Sequence, residues 1–230
     1  PANLFVRRII RPKYALKEQK GVVIGELPTL PLPKSNAGAS ILAYIIVSKM
    51  VDHLPFYRQR QIFKRFSFIV SDSTLGGWFS AAADLLEPLY QELQDKVLSS
   101  DYLQGDESPI GVQDSHKQGT LHTGYQWVYR APAEKLALFR YHKGRGKVAA
   151  DEFLKNYSGT LQTDGYKVYQ NLQNKENITL VGCMAHARRY FEKALDQDKK
   201  RAEYALGLIQ ELYAIERKAK ENNVKPEFKT

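Results

Sequence analysis

Two aspartates carry the clearest chemical potential in this sequence. Asp106 stands in Gly105-Asp106-Glu107-Ser108-Pro109 and Asp164 in Thr163-Asp164-Gly165-Tyr166. Each is expected to close a β-strand at a turn-prone stretch. Carboxylates at the ends of adjacent strands can converge on a hard cation such as Mg²⁺ or Mn²⁺, which takes oxygen ligands. Cations held in this way stabilise the attacking and leaving oxygens of an in-line phosphoryl displacement. Aspartate before glycine, as at Asp164, also simply forms turns, so spacing alone leaves both readings open. Glu107 falls on the opposite face if the strand continues past Asp106, which gives it a supporting place rather than one on the cation.

Two further groups of residues bear on chemistry. Cys183 and His186 form a Cys-x-x-His pair at a strand-to-helix junction. With no second cysteine in the chain this is half a zinc set at most, and holding the junction together is the better use for it. Arg188 and Arg189 follow directly. Their guanidinium groups can grip phosphates bidentately or pair with neighbouring carboxylates. Upstream, Arg58, Arg60, Lys64 and Arg65 are interleaved with Phe56, Phe63 and Phe66, a basic helix that either contacts DNA or presents an ordinary solvated face.

The elements that position these residues follow from periodicity. Pro28, Pro31 and Pro33 alternate with Leu30 and Leu32 and read as an extended connector. From Ala39 the pattern turns helical, with Ile41, Leu42, Ile45, Ile46 and Met50 on one face. Pro55 opens a second helix. Ser71-Asp72-Ser73 caps a third, with Leu75, Trp78, Phe79, Ala82, Leu85 and Leu86 inward and a kink or break expected at Pro88. Two helices joined across Ser67–Asp72 resemble a helix-turn-helix and equally a packed helical hairpin. After Ser99 the period becomes two. The expected order is three antiparallel strands, a helix over Val148–Tyr157, a strand ending at Asp164, a helix from Tyr166, a strand over Ile178–Gly182 and a helix over Ala185–Ala194. A last helix carries Tyr204, Leu208, Leu212 and Ile215 as its apolar face. A mixed α/β (α+β) sheet with flanking helices buries these elements. The ribonuclease-H-like fold has the same order, as do other α+β sheets.

Composition narrows the class without choosing within it. The chain has 230 residues, a formal net charge of +9 and a single cysteine. The charge favours a polyanionic partner, and one thiol excludes an internal disulfide and suits a reducing cytoplasm. No run approaches the length of a membrane span. The chain opens on Pro1-Ala2-Asn3 without a methionine and closes on a basic tail at Thr230, which reads as a piece of a longer protein.

A resemblance covers nearly the whole sequence. The segment "ILAYIIVSKMVDHLPFYRQRQIFKRF" resembles the helical region of insertion-sequence-66 transposases of the DDE superfamily. "STLGGWF", "PLY", "GDESPIGV", "GYQWVYR", "GTLQTDGYKVY", "GCMAHARRYF" and "LYAIER" continue it in the family's order. The resemblance implies a ribonuclease-H-like catalytic domain over residues 99–230, truncated at its C-terminus. A helical, helix-turn-helix-like region over 39–98 would precede it, and a basic, proline-rich N-terminal segment over 1–38. It implies that Asp106 and Asp164 are the first two carboxylates of the catalytic triad and bind Mg²⁺ or Mn²⁺. The reaction implied is cleavage at a transposon end to leave a 3′-hydroxyl, which then attacks target DNA by transesterification. Oligomerisation on paired ends is the corresponding expectation, with transposon-end and target DNA as partners.

Three departures from the family pattern qualify this. The family's catalytic glutamate sits in an Asn-Asn-x-x-Glu-Arg segment, whereas here Asn222-Asn223 is followed by Val224-Lys225-Pro226-Glu227. Glu216, in "LYAIER", is the remaining candidate, and a helix-surface glutamate paired with Arg217 or Lys220 accounts for it better. Met184 replaces the tryptophan of the family's Cys-x-Ala-His-Ala-Arg-Arg motif. Finally, Leu16 and Gln19 stand where a zinc knuckle would place thiolates, so a knuckle of that kind is degenerate here. A DNA transposase is therefore the leading expectation. A catalytically incomplete DNA-binding relative and a ribonuclease-H-like nuclease are the alternatives.

Overall fold

A computed structural model describes residues 4–15, 17, 21–113, 119–174 and 177–222. The zinc-knuckle positions Leu16 and Gln19 and the segment Asn223–Glu227 lie outside the described residues. The chain divides into two compact units, residues 1–90 and 91–230.

In the first unit, β1 (Lys13–Ala15) and β2 (Val22–Ile24) pair antiparallel, and the helices α1 (Ala39–Met50), α2 (Phe56–Arg65) and α3 (Asp72–Leu98) follow, the last running on past the division after Tyr90. The proline-rich stretch is docked rather than free. Leu32 and Ala37 are buried with Leu42 of α1 and Ala82 of α3. A neighbouring cluster joins Ile45, Phe63, Val70 and Leu75, with Phe56, Phe68 and Phe79 against it. Gln59 is fully buried there, and its amide donates to the Leu54 carbonyl at 2.9 Å. Ser71 caps α3, its hydroxyl accepting from the Thr74 amide at 3.0 Å.

Several expectations are corrected here. Pro88 does not break α3, which runs unbroken through it. Asp84, Glu87 and Pro88 are all exposed, so water can satisfy the carbonyl that a proline leaves without a partner. Leu85 and Leu86 are exposed rather than inward, as are Met50 and Phe66.

The second unit is a five-stranded sheet flanked by helices. β3 (Tyr102–Gln113), β4 (Leu121–Ala131) and β5 (Leu136–His142) form an antiparallel meander. After α4 (Lys147–Phe153) the chain enters β6 (Gly159–Thr163), which pairs parallel with β3. It then passes through α5 (Lys167–Gln170) and a 3₁₀ turn, Asn171–Asn174, into β7 (Ile178–Gly182), parallel to β6. Helices α6 (Met184–Ala194) and α7 (Lys199–Glu221) complete it. The sheet order is β5-β4-β3-β6-β7, the mixed sheet of a ribonuclease-H-like α+β fold.

One face of this sheet is the core. Leu103, Trp127, Tyr129, Leu138 and Leu161 are buried with Ala150, Phe153 and Leu154 at α4, and with Tyr157, Tyr169 and Leu172. Tyr129 stacks on Phe153 at 4.2 Å between centroids, and Trp127 meets Tyr169 edge-on at 6.1 Å. Helix α4 stops at Phe153, short of the expected Tyr157. On α7 the buried residues are Ala202 and Ile209, while Tyr204, Leu208, Leu212 and Ile215 are exposed, the reverse of the expected inner face.

Entry into β6 depends on Gly159. Its φ is +146°, and an added Cβ would lie 2.6 Å from the Asp101 carbonyl oxygen and 2.7 Å from the Tyr157 hydroxyl. The Asp101 carbonyl already accepts from the Thr160 amide at 2.8 Å, so this backbone cannot retreat freely. Gly159→Ala is expected to destabilise the protein by at least about 2 kcal/mol, measured by urea denaturation. An unchanged midpoint would show that the strand entry adjusts without strain.

Candidate active site

Each of the two aspartates lies two residues beyond the last pair of the parallel ladder between β3 and β6. The paired residues are Tyr102 with Thr160, Leu103 with Leu161 and Gln104 with Gln162. Continued by two residues, the same offset sets Asp106 level with Asp164. The side chains on one face mark the approach: Tyr102 and Gln104 both donate to the Gln162 amide oxygen, at 2.8 and 2.9 Å.

Asp106 differs from expectation in one respect. It lies inside β3, opposite Val128 of β4, and not at a strand end. The sequence Ser108-Pro109 does not stop the strand, because beyond Gln104 the ladder to β6 has ended and β3 keeps β4 as its partner. Proline is tolerated on a strand with one free edge. Asp164 does directly follow its strand. Its Oδ1 accepts from the Tyr166 amide at 2.9 Å, forming an Asx turn. Oδ1 of Asp106 accepts from the Glu107 amide at 2.9 Å.

Neither aspartate forms an ion pair among the described residues, and each has a second carboxylate oxygen left to offer. Asp106 is exposed and Asp164 half-buried. This donor set fits Mg²⁺, which binds through one or two carboxylates and keeps several waters. Among the described residues no group of three or more acidic, histidine or cysteine side chains is placed to share a cation. Glu216 on α7 instead pairs with Lys220 at 2.8 Å.

Glu107 takes the opposite face, as alternation requires, and its side chain is fully buried. Arg145, in the loop before α4, donates to Glu107 Oε1 from Nε at 2.8 Å and approaches it with a terminal nitrogen at 2.7 Å. The Tyr169 hydroxyl donates to Oε2 at 3.2 Å. The guanidinium of Arg145 lies over the Tyr166 ring, 4.0 Å from its centroid. A chain of contacts therefore runs from Tyr169 through Glu107 and Arg145 to Tyr166, whose amide holds Asp164. Burial pushes the Glu107 carboxyl above the ordinary glutamate range against the opposing pull of Arg145, and the nearby Asp164 charge adds to the rise. The bond to Glu107 in turn raises the Arg145 guanidinium. Burial also raises the Tyr169 hydroxyl, keeping it a neutral donor. Nothing in the sequence marks Arg145. The one available signal was its counterpart, an acid on a core-facing position, which requires a cation.

The remaining residues singled out in the sequence fall elsewhere. Cys183 stands at the N-terminus of α6, and its amide donates to the Thr163 carbonyl at 2.8 Å, tying the ends of β7 and β6 together. The His186 amide returns to the Cys183 carbonyl at 3.1 Å. Arg188 pairs with Glu192 at 2.7 Å, and Arg189 is exposed. In the first unit, Arg58, Lys64 and Arg65 are exposed on α2, while Arg60 pairs with Asp72 at 3.3 Å.

A family model described as "Transposase IS66 family" matches residues 34–229. Among curated proteins, "Uncharacterized protein y4jD" of Sinorhizobium fredii (strain NBRC 101917 / NGR234) is 31% identical over 232 residues, covering 94% of this chain and 45% of its own. "Uncharacterized protein y4qI" from the same strain is 31% identical over 195 residues, covering 79% of this chain and 36% of its own. The chain thus spans less than half the length of these relatives.

Proposed function

The chain belongs to the IS66 transposase family, and we propose from that premise that it carries the strand-processing core of a DNA transposase. In this reading Asp106 and Asp164 are the carboxylates of its cation site. The observation supporting the site is the register of β3 and β6, whose Gln104–Gln162 offset, carried on by two residues, matches Asp106 with Asp164. Mg²⁺ or Mn²⁺ bound there would supply electrostatic stabilisation of the oxygens exchanged at phosphorus. Each aspartate is held by a backbone amide on one oxygen, which fixes its orientation and leaves the other oxygen for a ligand. Glu107 and Arg145 hold the turn from beneath, through Tyr166. Such a site acts by positioning and charge stabilisation, without a covalent protein intermediate. Arg188 and Arg189 on α6 and the exposed cations of α2 are the groups available to DNA phosphates. The net charge of +9 favours that partner. Action on paired ends would bring copies of the chain together. Among the described residues no helix is long and apolar enough to cross a membrane.

A second reading, a DNA-binding relative without catalysis, draws on one observation: among the described residues no third carboxylate joins the pair. A single assay separates them. The protein is incubated with DNA carrying the ends of its encoding element, a target plasmid and Mg²⁺ or Mn²⁺. Nicks at the ends followed by joining to the plasmid are the expected result. Binding without any nick in either metal would support the non-catalytic relative. In a parallel incubation with an RNA–DNA hybrid, cleavage of the RNA with no joining of the DNA ends would support a nuclease.

A further inference from the structure

We propose that the groove between α6 and α7 is a track for a single DNA strand, which it delivers to the ends of β6 and β7, where Asp164 stands. This deepens the reading of the chain as a DNA-processing protein and can fail separately from it. The groove encloses about 600 Å³. One wall is the start of α6, with Arg188 and Arg189. The other is a single face of α7, on which Gln210, Tyr213, Arg217 and Lys220 follow at alternating spacings of three and four residues.

The charge within the groove is unbalanced. Lys220 is tied to Glu216 at 2.8 Å and Arg188 to Glu192 at 2.7 Å. Arg189 and Arg217, from opposite walls, form no ion pair among the described residues. Two guanidinium groups facing a common groove suit phosphate oxygens, which they grip through paired N–H donors. Between them the Tyr213 ring and the Gln210 amide offer a stacking face and a hydrogen-bonding group, the combination by which proteins hold single strands without reading sequence. A stacking ring serves only unpaired bases, since the base faces of a duplex are covered by their neighbours, so the furrow suits one strand and not a duplex.

Placement joins the groove to the acidic pair. β6 and β7 are parallel and end together, their ends linked by the Cys183 amide and the Thr163 carbonyl. Asp164 leaves the first end and α6 leaves the second. The α6 wall of the groove therefore begins beside the strand end that Asp164 follows.

The test is fluorescence anisotropy of the whole protein with a labelled oligothymidylate of about 20 nucleotides, in EDTA, across a salt series. The expected result is that Arg189→Gln/Arg217→Gln weakens binding about tenfold. Losing two phosphate contacts to a single strand should also flatten the log K against log salt slope by about 1.4. Tyr213→Ala should weaken binding severalfold with the slope unchanged. A control pair on the same unit, the exposed Lys135→Gln/Lys155→Gln, removes the same charge from segments outside the groove lining and should bind as the parent does. Circular dichroism and a melting curve confirm that each variant is folded. Unchanged affinity and slope in the arginine pair would overturn the proposal, as would an equal loss in the lysine pair. A duplex of the same length bound as tightly, with an equal loss in the arginine pair, would overturn the single-strand assignment. A uridine oligomer bound more tightly than the DNA would overturn the choice of DNA. Groove-dependent binding by a protein that never nicks DNA in metal would leave this inference standing and remove the catalytic reading.

Discussion

Asp164→Asn and Asp106→Asn are each expected to lower the rate of DNA strand cleavage in Mg²⁺ by about a thousandfold. Charge stabilisation by a catalytic cation is worth several kcal/mol, and about 4 kcal/mol corresponds to that factor. Asparagine is the informative replacement because each aspartate uses one oxygen structurally. Oδ1 of Asp164 accepts from Tyr166 and Oδ1 of Asp106 from Glu107, and an amide oxygen preserves both bonds while removing the charge. Stability should therefore stay within about 0.5 kcal/mol of the parent, and binding of DNA in EDTA should be unaffected. Nicking assays with DNA carrying the element's ends measure the first quantity and thermal melts the second. Activity retained by Asp164→Asn would remove that residue from the cation site. Glu216→Gln belongs in the same series. Paired with Lys220 on the helix surface, it should leave the rate within about twofold, the scale of a helix-surface ion pair. A loss as deep as that of the aspartates would make it the third carboxylate.

The two aspartates differ in how much of their setting the sequence revealed. Strand β7 was legible as a short apolar run, Ile178–Gly182, and β6 by its end, because Thr163-Asp164-Gly165 marks a turn by its own chemistry. Asp106 was placed at a strand end because Gly105 and Pro109 flank it. Its strand continues to Gln113 only through pairing with Leu121–Arg130, a non-local partner that no local pattern announces. Helix α7 shows the opposite difficulty. Apolar residues occupy much of its circumference, including Ala202, Leu206, Leu208, Ile209, Leu212 and Ile215. A helical period can then be drawn along more than one face, and it cannot choose the buried one. The stripe through Tyr204, Leu208, Leu212 and Ile215 is exposed, while Ala202 and Ile209 are the buried residues. Pro88 was read as a kink or break because the sequence does not say that its turn of helix faces water. The site was thus legible to the extent that its chemistry is local. Its supporting cation, Arg145, in a Gly-Arg-Gly loop, was not.

Arg145→Ala is expected to destabilise the protein by about 3 kcal/mol at neutral pH, with the deficit shrinking as the solution is acidified. Removing one partner of a buried pair leaves the other charge uncompensated, which costs about 3–5 kcal/mol. The low end applies because Arg145 is 42% exposed and shared with solvent. The pH dependence follows from Glu107. Its folded-state carboxyl is raised above the ordinary glutamate value, so its contribution to stability is fully present below the unfolded pKa of about 4.3 and is lost as pH rises through the folded value. Arg145 opposes that rise. Without it the folded value climbs further and the loss on the way to neutrality grows. At about pH 4 Glu107 is largely protonated with or without its partner, and the variant should approach the parent. Glu107→Gln supplies the cross-check. A neutral amide can still accept from Arg145 through its oxygen, can donate from its nitrogen to the Tyr169 hydroxyl oxygen, and carries no charge to bury, so the single variant should stay within about 1 kcal/mol of the parent at neutral pH. Adding it to Arg145→Ala should restore most of the lost stability, a coupling of about 2 kcal/mol in a double-mutant cycle. Urea denaturation of the four proteins at pH 4 and pH 7 measures every term. A deficit in Arg145→Ala that is equal at both pH values and not relieved by Glu107→Gln would place the loss in packing against the Tyr166 ring. The turn that carries Asp164 would then rest on that contact rather than on the buried carboxylate.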